Sequence, residues 1–345
     1  MSIHLILDGK HCSRWLQIPI HRKDPYYHSF ECPRMKKITI ACLQMASSPY
    51  ECENNLEKAT IMIREAAENG ANICILPEVF NPGYSLDNDN FIKAETLDGQ
   101  TITRFKELAA ELNLYITGGL GEKTEKEFFN TMYFIGPSGL MATYHKKHVF
   151  SLENKYWKRG KQNVIVNTEF GDIGLGICAD MHYAKMWKEY AGKIDVALIC
   201  SAWPDRPEKT STRYGDHEAE LCRDLPAQIS RAMQIPVAYC NATQDCKGKV
   251  AILGHMYCQG NSKIVDKGKI VATAESREDR VMLGSVEIEE TRPEIDMRIF
   301  KHWIKHTITE NLLRFLVEGI LTRYGMAYYT RAKKKYLRKD RGNVR

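Results

Sequence analysis

From Lys37 onwards, the sequence alternates between short apolar runs and longer segments with helical periodicity. Runs such as ITIACLQM, ANICIL and VALIC are typical of buried strands. Four intervening segments place apolar side chains at helical spacing, at residues 53–69, 101–113, 183–192 and 214–233. We therefore predict an α/β fold in which helices cover a sheet. Two predicted hairpins, at residues 131–145 and 262–274, interrupt the alternation, so a simple doubly wound sheet is not expected.

The two ends of the chain differ from this body and indicate a division into three parts. Residues 1–36 form an N-terminal extension to which the sequence assigns no role, and residues 37–290 form the main domain. Residues 291–345 form a C-terminal extension with an amphipathic helix predicted at about 306–325. The apolar face of this helix has to be buried, either against the body or against a second copy of the chain. That face comprises Ile308, Leu312, Leu313, Leu316, Ile320 and Leu321.

Positive charge is concentrated in the basic tail, residues 331–345. This tail holds eight Lys or Arg residues and one Asp, so the remainder of the chain is nearly neutral although the whole chain carries +6. A block of like charges is most often a solvated end, and we expect no nucleic-acid partner. No apolar stretch reaches membrane-spanning length, and the first residues lack the cationic start of a secretory signal. No membrane association is therefore expected.

The eleven cysteines are scattered, and none forms a CxxC pair. This pattern excludes a zinc ribbon and is typical of a reducing compartment, so we predict a cytoplasmic protein. Cys178 and His182 stand four residues apart, but no second ligand pair lies nearby in the sequence. We therefore predict neither a metal ion nor another cofactor.

Three reactive side chains follow predicted strands. Glu78 comes directly after ICIL and Pro77, Lys146 follows the first hairpin, and Cys178 ends the run GLGIC at a strand-to-helix turn. Each position alone is a weak signal, because an acid or a lysine after a strand is usually solvated and an apolar-run cysteine is usually core. Together the three groups are complementary. A carboxylate can accept the thiol proton, and an ammonium group can stabilise a thiolate and an oxyanion.

The segments around these residues resemble motifs of the nitrilase superfamily of carbon–nitrogen hydrolases. LPEVFNPGY is similar to the family's Leu-Pro-Glu motif. YHKKHVF is similar to its lysine motif, with His145 in place of arginine, and GLGICAD to its cysteine motif, with Ala179 in place of tyrosine. The resemblance covers about residues 37–290 and keeps the family's order of motifs. It implies a four-layer αββα sandwich.

The resemblance also implies a role for each matching residue. Glu78 is expected to be the general base, Lys146 to stabilise the tetrahedral intermediate and Cys178 to attack the substrate. The backbone N–H of Ala179 is expected to be a second oxyanion donor. The segment HVFSLENKYWKRG resembles that of carbamoylase-like members and places a second family glutamate at Glu153.

Other residues resemble family positions less specifically. Tyr84, Trp203 and His182 are assigned to the substrate pocket, although plain packing is an equal alternative for Tyr84 and Trp203. Asn130 resembles the family's asparagine before the hairpin strand, and Asn241 resembles a strand-end asparagine that supports the core.

The predicted activity is hydrolysis of a non-peptide carbon–nitrogen bond, amide or carbamoyl, in a small molecule through a Cys178 thioester. A nitrilase is less favoured because Ala179-Asp180 lacks the nitrilase Trp-Glu pair. Three alternatives stay open: an amine-accepting acyl transferase, a Cys–His hydrolase with His148 or His182 as base, and a scaffold without chemistry. Family members often form dimers, so a homodimer or larger homo-oligomer is expected.

Overall fold

The computed structural model describes residues 35–205, 213–246, 256–304, 311–312 and 314–342. Nearly all of the predicted N-terminal extension lies outside these residues. So do Ile308 and Leu313 of the predicted amphipathic face.

The first sheet contains six strands. They are β1 (Lys36–Gln44), β2 (Ile73–Ile75), β3 (Tyr115–Lys123), β4 (Phe128–Gly136), β5 (Gly139–His145) and β15 (Arg280–Ile288). Their order is β15-β1-β2-β3-β4-β5. The central strands β1, β2 and β3 run parallel, and β4, β5 and β15 pair antiparallel with their neighbours. The first predicted hairpin is therefore β4–β5.

The second sheet also contains six strands. They are β6 (Ile165–Thr168), β7 (Gly171–Ile177), β8 (Val196–Ser201), β10 (Val237–Asn241), β13 (Ser262–Asp266) and β14 (Lys269–Ala274). Their order is β14-β13-β10-β8-β7-β6, with β7, β8 and β10 parallel. A small third sheet joins β9 (Pro204–Asp205), β11 (Asp245–Cys246) and β12 (Met256–Cys258).

The α-helices of the body are α1 (Cys52–Glu68), α2 (Asp89–Ile92), α3 (Gln100–Leu112), α4 (Ala184–Tyr190) and α5 (Arg213–Met233). Short 3₁₀ helices occupy Ser151–Lys155, Cys178–His182 and Met297–His302. A π-helical segment, Phe315–Leu321, leads into α6 (Thr322–Gly342). The four helices predicted for the body are thus present, with ends within two residues of the prediction.

The alternation of side chains along β1 shows how the layers pack. Ile38, Ile40 and Cys42 point to one face and share a buried cluster with Leu175 and Leu198 of the second sheet. The intervening side chains point to the other face, where they pack with residues of α1 and α3; this second cluster includes Ala41, Leu43, Leu56 and Phe105. Helices α4 and α5 cover the second sheet with Trp187 and Leu225. The order helix, sheet, sheet, helix confirms the αββα sandwich.

The C-terminal prediction was wrong in its extent. The helix predicted to end near residue 325 continues to Gly342, and it includes most of the basic tail. Arg331 and Lys335 are exposed, as expected for a solvated end, but Tyr336 packs against Phe91. On the predicted apolar face, Leu321 is only partly buried. None of the described helices is long and apolar enough to cross a membrane.

Candidate functional site

Glu78, Lys146 and Cys178 lie just beyond the ends of three strands. Glu78 follows β2, Lys146 is the residue after β5, and Cys178 follows β7. Glu78 and Lys146 have no exposed surface, and Cys178 is 6% exposed. Charged side chains are almost never fully buried unless they are paired, so their partners define what this site can do.

Lys146 lies between two carboxylates. Its Nζ donates to Glu78 Oε1 at 2.6 Å and to Glu153 Oε2 at 2.7 Å. Burial opposes the charge on Lys146, but the two carboxylates outweigh this effect and raise the pKa of Lys146 well above its ordinary value. The side chain is therefore a fixed ammonium group in a water-excluded site.

The Glu78 carboxylate is held from two further directions. Asn130 Nδ2 donates to Oε1 at 2.6 Å, and the backbone N–H of Ala202 donates to Oε2 at 2.9 Å. The strand beside it approaches very closely: a β-carbon on Gly119 would lie 2.7 Å from the Cα of Glu78. Glycine is thus required at position 119 for Glu78 to keep its place.

Glu153 lies in the 3₁₀ helix Ser151–Lys155, and its two oxygens have different partners. Tyr84 donates its hydroxyl to Oε1 at 2.8 Å, whereas Lys146 and the backbone N–H of Phe150, at 3.1 Å, both donate to Oε2. Burial raises the pKa of Glu153, and Lys146 opposes that rise. The structure therefore brings Tyr84 and Glu153 together at the site.

The turn at Cys178 is held in an unusual conformation. Cys178 has φ +45°, and two other non-glycine residues with positive φ are Val79, next to Glu78, and Ser151, two residues before Glu153. Such conformations cost about 1–3 kcal/mol each and persist only where the surroundings enforce them. All three of the site's loops therefore contain a strained residue.

Asp180 fixes the turn from within. This fully buried carboxylate accepts hydrogen bonds from the Ile177 N–H at 3.0 Å and the Tyr144 hydroxyl at 2.7 Å. The ring Nδ1 of His148 lies 2.7 Å from its other oxygen. This positioning role of Asp180 was not predicted, because in the sequence Asp180 stands out only as part of the GLGICAD motif.

The surroundings of Cys178 favour its protonated form. Burial and the nearby Glu78 carboxylate raise the pKa of Cys178 well above its ordinary value, although Lys146 opposes them. A base has to remove the proton while the sulfur attacks.

Trp203 and His182 lie together on another side of the site. Their ring centroids are 4.7 Å apart, and the backbone N–H of Trp203 donates to Asn241 Oδ1 at 2.8 Å. His182 Nε2 lies 3.3 Å from Glu218 Oε2 on α5. Glu218 was not predicted, because nothing in the sequence distinguishes it from the other acidic residues on that helix.

Lys147 faces away from the site. Its Nζ contacts Asn163 Oδ1 at 2.6 Å and Glu189 Oε2 at 2.9 Å. Of the two neighbouring lysines, only Lys146 therefore faces the site.

Comparisons with known proteins show which family this chain resembles. The family model for carbon–nitrogen hydrolases matches residues 39–294. The omega-amidase NIT2-B of Xenopus laevis is 28% identical over 293 residues, which cover 80% of this chain and 99% of that protein.

Solved structures show the same fold. A carbon–nitrogen hydrolase from Helicobacter pylori aligns with a TM-score of 0.65 and 19% identity, covering 78% of this chain and 92% of that one. An amidase mutant from Nesterenkonia sp. AN1, with an acetamide moiety on its active-site cysteine, aligns with a TM-score of 0.60 and 17% identity, covering 81% of this chain and 97% of that one.

The chain belongs to the carbon–nitrogen hydrolase family. It is therefore an enzyme of the class that cleaves non-peptide carbon–nitrogen bonds.

Proposed function

We propose that the protein hydrolyses a small-molecule amide through a thioester on Cys178. The observation that carries this proposal is the buried Lys146 ammonium, in contact with both Glu78 and Glu153 beside a buried thiol. A fixed positive charge in a water-excluded site is suited to stabilising an oxyanion. The two carboxylates offer separate places for proton transfer and for substrate orientation.

In the first half-reaction, the sulfur of Cys178 bonds to the amide carbon while its proton passes to Glu78. This concerted transfer is supported by the raised pKa of Cys178, which leaves little free thiolate at neutral pH. Lys146 stabilises the oxygen that becomes negative. The Ala179 N–H is the second donor, because the first N–H groups of a helix lack intrahelical acceptors, and Ala179 is near the start of such a helix.

Glu78 then returns the proton to the nitrogen, the carbon–nitrogen bond breaks, and ammonia or an amine leaves. Water attacks the thioester with Glu78 again as base, which releases a carboxylic acid and restores the thiol. Glu153 orients the N–H of the substrate, and its hydrogen bonds from Lys146 and Tyr84 support a fixed position. Trp203 and His182 contact the substrate's acyl part.

An amide is favoured over a nitrile as substrate. The similar protein from Xenopus laevis is an omega-amidase, and the similar protein from Nesterenkonia carries its acetamide adduct on cysteine. The departure from the nitrilase Trp-Glu pair at Ala179 and Asp180 points the same way.

The test is to measure ammonia release from a panel of amides, ureides and nitriles and to trap the intermediate by mass spectrometry. We expect an adduct on the Cys178 peptide with the mass of the amide minus ammonia. Cys178→Ala should lose both adduct and turnover, whereas Cys52→Ala, at the partly exposed start of α1, should keep both. Turnover by Cys178→Ala would refute the nucleophile. Full activity of Glu78→Gln would instead favour the Cys–His alternative.

We also propose a cytoplasmic homodimer whose hydrolase domain spans residues 37–290, flanked by the two extensions. No disulfide joins the nine cysteines of the described residues, which supports a reducing compartment. Leu312 and Ile320 are 60% and 56% exposed, which supports burial of this face by a second copy.

A further inference from the structure

A cavity of about 470 Å³ separates the body from the C-terminal segment, which is defined here as residues 311–342. On the body side, its lining includes Phe150 and Ser151, which precede Glu153, and Tyr183, which follows His182. The cavity therefore adjoins the loops of the candidate site. Its volume lies within the range of small-molecule sites, about 300–1,000 Å³.

The lining of this cavity is cationic. Three guanidinium groups line it: that of Arg159 on the body, and those of Arg314 and Arg323 on the C-terminal segment. Glu318 is the one carboxylate in this lining. Arg314 Nε pairs with Glu318 Oε1 at 2.9 Å, and Arg159 Nε donates to Asn154 Oδ1 at 3.1 Å. In the part of the chain that the structure describes, no carboxylate forms an ion pair with Arg159 or Arg323.

Arg159 of the body and Arg314 of the C-terminal segment both line the cavity, as does Tyr183. Burial, together with Glu318, raises the pKa of Tyr183 to about 12, and both Arg314 and Arg159 oppose this rise. The two cations are therefore within electrostatic reach of one hydroxyl group inside the cavity. Such convergence suits an anion, because guanidinium groups recognise carboxylate and phosphate oxygens through paired hydrogen bonds.

We infer that this cavity binds an anionic group, a carboxylate or a phosphate, beside the active site. Arg314 and Arg323 lie beyond residue 294, where the family match ends, so the site is a feature of this chain's C-terminal segment. The anion is either carried by the amide substrate itself or is a separate small molecule. Only the first case rests on the proposed function.

The direct test measures binding without turnover. Titration calorimetry at low ionic strength should show binding of inorganic phosphate and of succinate to the full chain. The double variant Arg159→Gln/Arg323→Gln should bind at least about tenfold more weakly, a loss of 1.4 kcal/mol or more. The control is Arg331→Gln/Arg338→Gln, which removes the same charge from exposed positions of α6. It should bind like the unaltered protein.

The kinetic test identifies the source of the anion. The substrates are a monoamide that carries a terminal carboxylate and a neutral amide of the same length. If the substrate carries the anion, the Arg159/Arg323 variant raises KM about tenfold for the charged amide only. If the anion is a separate molecule, phosphate binding is weakened and neither KM changes relative to the control variant.

Two results together overturn the inference. Phosphate and succinate bind equally to the Arg159/Arg323 variant and to the control, and the ratio of KM for the charged amide to KM for the neutral amide is the same in both variants. Because the calorimetric result does not depend on turnover, it stands even if no amide is hydrolysed. Failure of the amidase proposal and failure of the anion site are therefore distinguishable. Melting curves of both variants show whether either has lost its fold.

Discussion

The ammonium group of Lys146 donates to Glu153 Oε2 across 2.7 Å, and the two residues are separated by only one sharp turn of the chain. That turn contains Ser151, with φ +41°. The positive φ allows the chain to reverse direction within a few residues, so that both side chains meet although the loop between them is short. Displacement of this loop should therefore affect the position of both charges.

Lys146→Ala should abolish turnover, whereas Lys147→Ala should change kcat/KM by less than about threefold. Removal of Lys146 leaves two buried carboxylates without their cation, a change that typically costs about 3–5 kcal/mol of stability. Thermal melting and steady-state kinetics should be measured together, with Lys146→Gln as a second variant if the first does not fold. Equal effects at the two lysines would contradict the strand register at the end of β5.

Glu153→Gln should lower kcat/KM for an amide by about 10²-fold, in line with general acid–base contributions. A matched ester lacks the N–H group that Glu153 is proposed to orient, so its hydrolysis should fall less. Parallel assays of both substrates provide the comparison. Equal losses on amide and ester would mean that the substitution only damages the pocket.

Alkylation of Cys178 should show a displaced pH profile. Because the pKa of this thiol is raised, the rate of modification by iodoacetamide should stay low near pH 8.5, where a free thiol is half ionised, and rise only at higher pH. Peptide mass spectrometry measures the rate, with glutathione in the same tube as reference. If the alkylation rate of Cys178 has its inflection at a pH equal to or below that of glutathione, the thiol is already activated in the free enzyme.

The packing of Gly325 against the Glu153 loop predicts another effect on catalysis. A β-carbon at Gly325 would lie 3.0 Å from Lys155 N, whereas one at Gly319 would meet only Phe315, at 3.9 Å. Gly325→Val should therefore lower both the melting temperature and kcat, because the loop that carries Glu153 has to move. Gly319→Val is the matched control and should affect kcat by less than about threefold. A Gly325→Val variant with unaltered kcat would show that α6 does not position the loop.

Introducing charge on the exposed C-terminal face should dissociate the proposed dimer. Leu312→Glu/Ile320→Glu should shift the mass measured by light scattering from dimer to monomer. The control is Ile61→Glu on α1, a position that is 59% exposed. A monomeric unaltered protein, or an unchanged mass in the double variant, would refute the dimer through this face.

The body of the fold was predictable because strand and helix periodicities are local properties of the sequence. The four-layer arrangement was predicted from the resemblance to a known family, because local sequence patterns do not determine how two sheets stack. Glu78, Lys146 and Cys178 were predictable because they share strand ends and complementary chemistry. Glu218 and Asp180 were missed as partners of His182 and His148, because such pairings depend on the side-chain positions in the folded protein.

The C-terminal segment was the least predictable part. Its helical period suggested an end near residue 325, but Tyr329 and Tyr336 of α6 find aromatic partners in Phe91 on α2. These contacts join segments more than two hundred residues apart. Tertiary packing of this kind extends a helix beyond what its own pattern indicates.

The protonated state of Cys178 also bears on how long the enzyme survives in an oxidising milieu. Peroxides attack thiolates far faster than thiols, and exposed thiolates are lost first to sulfenic and then to irreversible sulfinic acid. Cys178 is buried, and its surroundings favour the thiol over the thiolate. We therefore expect the resting enzyme to resist oxidative inactivation.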